Sequence, residues 1–150
     1  MTSLDPVLSP VLVGRDEHLE FADRRLAEAM AGHGHVTLVV GEAGIGKTRL
    51  IRAISRRATA AGFRVAQGDL GPQDHDVPMA VLGDLARTMR RTPSLARLGD
   101  DLLARYAAAA VDGAYSRTLV LDVVERIRAA MDAPTMLIFE DLQWADDMSL

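Results

Sequence analysis

The apolar positions of the chain change period several times, and each change marks an element. Between Asp16 and Ala31, Leu19, Ala22, Leu26 and the Ala29-Met30 pair recur at helical spacing. This predicts an amphipathic helix, broken by Gly32-His33-Gly34. Val36-Thr37-Leu38-Val39-Val40 is a continuous, β-branched, apolar run, the pattern of a strand buried on both faces of a parallel sheet. A glycine-rich turn then leads into a helix over Lys47–Ala61 that Gly62 ends. Phe63–Gln67 reads as a second strand and Gly68–Val77 as a polar loop. Helices follow over Met79–Arg91 and Ser94–Ala110, separated by Pro93, and over Tyr115–Met131, stopped near Pro134. Thr135–Glu140 is a third apolar strand that closes on two acids. Strands alternating with helices predict an α/β fold, with a mainly parallel sheet flanked by helices. Residues 1–10, rich in proline and serine, read as a flexible leader.

Composition removes several function classes. There is no cysteine, which excludes disulfides and thiolate metal sites and fits a reducing, cytoplasmic location. The net charge of −4 offers no electrostatic footprint for an anionic membrane, and no direct nucleic-acid binding by this segment is expected. The first ten residues lack the basic and apolar regions of a signal peptide. Val36–Val40 and Met136–Phe139, the most apolar stretches, are far too short to span a bilayer. Sixteen of the seventeen basic residues are arginine. The single lysine, Lys47, therefore stands out by its position.

That position completes Gly41-Glu42-Ala43-Gly44-Ile45-Gly46-Lys47-Thr48, a full match to the phosphate-loop pattern. Gly41, Gly44 and Gly46 permit backbone angles and a close approach that side chains would block. Successive backbone N–H groups, including those of Glu42, Ala43 and Ile45, can then converge on phosphate oxygens as a nest. The helix that starts here adds its free N–H groups and the positive end of its dipole. Lys47 supplies a point charge for the β- and γ-phosphates, and Thr48 a hard oxygen for Mg²⁺. With this composition, the flanking residues would match by chance around one lysine in roughly six cases in ten thousand. The expected ligands are ATP or ADP with Mg²⁺.

Met136-Leu137-Ile138-Phe139-Glu140-Asp141 is the second constellation. In phosphate-loop ATPases an apolar strand places an acid beside Mg²⁺ at the carboxyl end of the sheet. A second acid there orients or deprotonates the attacking water. From the residues alone, either acid can take either role.

Together, Val11-Leu12-Val13-Gly14-Arg15-Asp16-Glu17, then VTLVVGEAGIGKTRL, then LIFEDLQWAD resemble the ATPase module of STAND-class, AAA-like phosphate-loop proteins. Such modules occur in large LuxR-type transcription regulators and in proteins with adenylate cyclase domains. The resemblance implies that residues 11–150 are the N-terminal portion of a phosphate-loop ATPase domain. It implies that Leu12–Arg15, with Val13 and Arg15 as contacts, lie near the adenine and ribose. It also implies that Glu140, with Thr48, serves Mg²⁺ and that Asp141 is catalytic. Many relatives carry aspartate at both acidic positions, and Glu140 is longer. Family members act as slow nucleotide switches, and self-association of the full-length protein is in keeping with that.

The same resemblance implies further core strands beyond the three found here, one of them lying between the phosphate-loop strand and the acidic strand. The chain is accordingly expected to be a truncated domain, marginally stable or aggregating, with weak nucleotide affinity and little turnover. Direct pairing of those two strands, or a strand supplied by a partner chain, are the alternatives.

Other features carry blander readings. Arg49, Arg52, Arg56 and Arg57 share a helix face that reads as solvated. Asp74-His75-Asp76 are adjacent in a polar loop and rarely would converge on one ion. His33 and His35 flank a glycine turn and are expected to be exposed, and Trp144 is expected to pack. Beside the signalling ATPase stand a small-molecule phosphate-loop kinase, a cyclase-type signalling ATPase module and a non-catalytic nucleotide-binding interaction module. A kinase of that kind needs a substrate lid and seldom has the Val13-Gly14-Arg15 motif.

Overall fold

A computed structural model describes residues 14–113, 115 and 117–145, with the side chains of Asp69 and Asp112 excepted. The leader, Leu12, Val13 and the last five residues lie outside them. The chain divides into two compact units, Met1–Arg57 and Ala58–Leu150.

The first unit opens with α1 (Asp16–Met30), which buries Leu19 and Ala22 as the helical spacing requires. Asp16 and Glu17 occupy its first turn, where negative charge favours the helix dipole. Asp23 forms an ion pair with Arg57 of α2 (Lys47–Ala60), and Nε2 of His35 lies 2.8 Å from the Glu28 carboxylate. The Arg25 guanidinium, hydrogen-bonded to Glu28, holds that carboxyl below the usual range.

Between the two helices the expected strand is not formed. Residues 33–42 are neither helix nor strand, and Val36 is 100%, Leu38 74% and Val40 81% exposed. The cause is partnership rather than propensity. A strand exists only when its N–H and C=O groups meet those of a neighbour, and among the described residues this run belongs to no sheet. The apolar pattern states a demand for burial without naming the chain segment that would meet it.

In the second unit β1 (Arg64–Asp69) and β2 (Thr135–Glu140) pair in parallel, with Gln67 opposite Ile138 and Asp69 opposite Glu140. The acidic strand thus pairs with the Arg64 strand and not with the phosphate-loop segment. Pairing also carries β1 two residues past the sequence-predicted Gln67, because Gly68 and Asp69 meet Phe139 and Glu140. Helices α3 (Ala80–Arg91), α4 (Ala96–Asp112) and α5 (Arg117–Ala130) complete the unit. Its core joins Ala66 of β1, Leu85 and Met89 of α3, Leu98 and Leu102 of α4, and Val123 of α5. Leu137 and Phe139 of β2 pack against it.

Helices α4 and α5 are also tied by a charged lattice. Arg105 donates to Asp122 at 2.7 Å, and Arg126 reaches both Asp122 and, at 2.8 Å, Asp101. Arg64 of β1 binds Asp132, just past α5, and its guanidinium holds that carboxyl below the usual carboxylate range. A depressed folded-state value means that this pair's contribution is present above the ordinary Asp range. It is lost as the pH falls through the lowered one.

One close approach sets the α3–α4 packing. A Cβ at Gly99 would stand 2.2 Å from the backbone N of Arg90 and 2.6 Å from its Cα. Backbone cannot yield as a flexible side chain can, so the two helices would have to separate. Gly99→Ala is expected to cost about 2–3 kcal/mol by overpacking. Urea unfolding would reveal it, and an unchanged midpoint would show that the crossing is slack.

Candidate functional site

The turn before α2 has the shape that its glycines predict. Gly44 and Gly46 sit at φ +80° and +95°, where other residues are strained. A Cβ built at either would meet nothing within 4 Å, so open space lies over the turn. At Gly41, by contrast, a Cβ would press on Ile45 Cγ2 at 3.2 Å. Glu42, Ala43 and Thr48 are exposed, and Ile45 is about half exposed. No acid occupies the first turn of α2, although Lys47 and Arg49 do. The positive end of a helix dipole with no acid in its first turn favours a bound anion.

Two cations also grip the turn's carbonyls. The Lys47 ammonium donates to Gly41 O at 2.8 Å and to Glu42 O at 3.0 Å. Its third proton is aimed at neither carbonyl. Arg15 Nη2 donates to Ile45 O at 2.9 Å, while the Arg15 carbonyl accepts the Leu19 N–H that opens α1. Arg15 therefore sits on the loop itself, and no periodicity or motif announces that contact across thirty residues. Val13, its expected companion, lies outside the described residues.

In the second unit the two acids at the end of β2 diverge. Glu140 is 9% exposed, and its Oε1 accepts a 2.6 Å hydrogen bond from Gln67 Nε2 on the neighbouring strand. Asp141 follows the last residue of the strand and is exposed. It stands at φ +57°, a left-handed conformation, and caps a single 3₁₀ turn, Leu142–Trp144. Its Oδ1 accepts from Gln143, and its carbonyl accepts the Trp144 N–H at 2.9 Å. Gln67 was not singled out in the sequence. Its one signal is an amide group inside a half-buried strand, where such a group needs a partner.

The remaining candidates resolve into ordinary structure. Asp74 accepts the Gly71 N–H at 2.8 Å and caps a short turn. Among the described residues no cluster of three or more His, Asp or Glu side chains is placed to hold a metal ion. Trp144 was expected to pack and is instead more than a third exposed, on the turn after Asp141. No helix among the described residues is long and apolar enough to cross a membrane.

The donor set therefore fits a polyphosphate chain: an open glycine turn, a helix N-terminus lacking acids, and an ammonium folded across the loop. Comparison with known proteins bears on the same segment. A family model for the AAA ATPase domain matches residues 11–150. An uncharacterized protein of Rhizobium meliloti (strain 1021) is 36% identical over 84 residues, covering 48% of this chain and 8% of that protein. The chain thus spans only a small fraction of that curated relative's length. No solved structure matches this chain. By the extent and place of the family match, this chain belongs to the AAA ATPase domain family, a family of α/β phosphate-loop nucleotide-binding proteins.

Proposed function

We propose that the chain binds Mg·ATP at residues 41–48 and hydrolyses it slowly, as the nucleotide switch of a bacterial signalling or transcription-regulatory ATPase. The observation that carries the binding step is the turn itself, with Gly44 and Gly46 at positive φ and open to space, directly before Lys47 and an acid-free helix N-terminus. Backbone N–H groups presented by such a turn hold phosphate oxygens, and Lys47 adds charge for the β- and γ-phosphates. Thr48 and Glu140 are the proposed Mg²⁺ residues. When bound, the ion would neutralise the charge that develops on the phosphates during hydrolysis. Asp141, exposed beyond the strand, is the proposed partner of the attacking water. The STAND and LuxR assignment rests on the sequence resemblance and concerns signalling output, not this loop.

The test is a titration of the chain with a fluorescent ATP analogue, with and without Mg²⁺, followed by turnover measured with water alone and with candidate phosphoryl acceptors. Saturable binding that strengthens with Mg²⁺, and slow phosphate release with water alone, are expected. Turnover that requires an acceptor would favour a kinase, and an absence of binding at millimolar ATP would remove the proposal.

A further inference from the structure

The Arg15 contact has a geometric consequence at Gly46. A peptide unit is planar, and in the trans form its C=O and the following N–H point in opposite directions. No cis peptide occurs among the described residues. The guanidinium that holds Ile45 O at 2.9 Å therefore also sets where the Gly46 N–H points, which is away from Arg15. Gly46 is the residue at φ +95° whose Cβ position opens onto empty space. Its own carbonyl is engaged in the opposite sense, accepting the Leu50 N–H of α2 at 3.0 Å. With both flanking carbonyls held, the orientation of the Gly46 amide is not left to the loop. A cation on the carbonyl also polarises the peptide, which makes its N–H a stronger donor.

We infer that Arg15 is a positioning residue for phosphate binding. It acts through the Ile45–Gly46 peptide to present the Gly46 N–H to the phosphate chain, and it does not read the base or ribose. This rests on the proposed phosphate-loop function. It also departs from what the family resemblance implies for Arg15, so the two roles predict different ligand dependence.

The experiment compares ATP with inorganic tripolyphosphate, which has neither base nor sugar. Binding to wild type, Arg15→Ala and Arg15→Lys is measured by displacement of a fluorescent ATP analogue, with thermal unfolding as the check that each variant folds. Loss of a charge-assisted contact predicts that Arg15→Ala weakens both ligands alike, by about tenfold. Arg15→Lys, which keeps a donor, restores part of the loss for both. In ¹H–¹⁵N spectra, tripolyphosphate moves the Gly46 amide proton downfield in wild type and much less in Arg15→Ala at saturation, a change that general destabilisation does not produce. Weakened ATP with unchanged tripolyphosphate would overturn the inference in favour of a base or ribose contact. Unchanged affinity for both, or an undiminished Gly46 shift, would overturn it as well. Lys47→Ala separates the two levels. If wild type binds neither ligand, the phosphate-loop reading fails and takes this inference with it. If wild type binds and only Lys47→Ala is impaired, Arg15 alone loses its role.

Discussion

Replacing Lys47 with alanine is expected to lower the affinity for Mg·ATP by roughly 10- to 150-fold, or about 1.5–3 kcal/mol, the worth of a hydrogen bond to a charged group. No other lysine exists to substitute for it. In the structure its ammonium spans Gly41 O and Glu42 O, which holds the charge over the turn and keeps it close to any phosphate the turn admits. Both carbonyls belong to exposed residues. Water can therefore replace the ammonium after the substitution, and the fold should melt at nearly the same temperature as wild type. That separates a binding defect from a folding defect. Arginine at the same position keeps the charge but is bulkier and planar, and it should recover little of the affinity. Fluorescent ATP titration of the three proteins checks this; equal affinities would remove Lys47 from the site.

The second large effect is expected at the end of β2. Asp141→Asn should slow ATP hydrolysis on the order of 100-fold or more, the contribution typical of a positioned base, while Mg·ATP affinity stays within about twofold, since the change is confined to the proton acceptor. Glu140→Gln should instead raise the Mg²⁺ concentration needed for half-maximal ATP binding, on the order of tenfold. Both variants are structurally mild. A glutamine carbonyl at 140 can still accept the hydrogen bond from Gln67, and an asparagine tolerates the left-handed backbone at 141. Single-turnover hydrolysis and Mg²⁺ titrations, run side by side, separate the two roles. Wild-type rates in both variants would leave neither acid with a part in the chemistry, and an exchange of the two phenotypes would reverse the assignment.

What the sequence discloses follows the range of the interactions. Helices α1 through α5 fall within about two residues of their sequence-predicted bounds, because the helical bond is local and its apolar stripe recurs along the chain itself. The glycine turn was legible for the same reason, since the left-handed angles at Gly44 and Gly46 are a property of those residues. Contacts between distant segments were not legible. Nothing local tells that Gln67 meets Glu140, that Arg15 reaches Ile45, or that Gly99 must lie against Arg90. The segment at Val36–Val40 shows the limit most clearly. Its pattern is that of a buried strand, yet burial and pairing are supplied by other parts of a chain, and among the described residues the run stands exposed.

The left-handed backbone at Asp141 would set folding against the role proposed for its carboxylate, over a single codon. An L-residue in that conformation gives up about 1 kcal/mol relative to glycine, somewhat less for aspartate. Glycine would give up the exposed Gln143 contact to the carboxylate but keep the Trp144 N–H contact, which uses only the Asp141 carbonyl. Selection for thermal hardiness alone would accordingly favour glycine at this codon and erase the carboxylate, at the loss of one exposed side-chain contact. Stability-guided redesign of the domain should hold position 141 fixed, because the change that most readily firms this turn is the one that removes its acid.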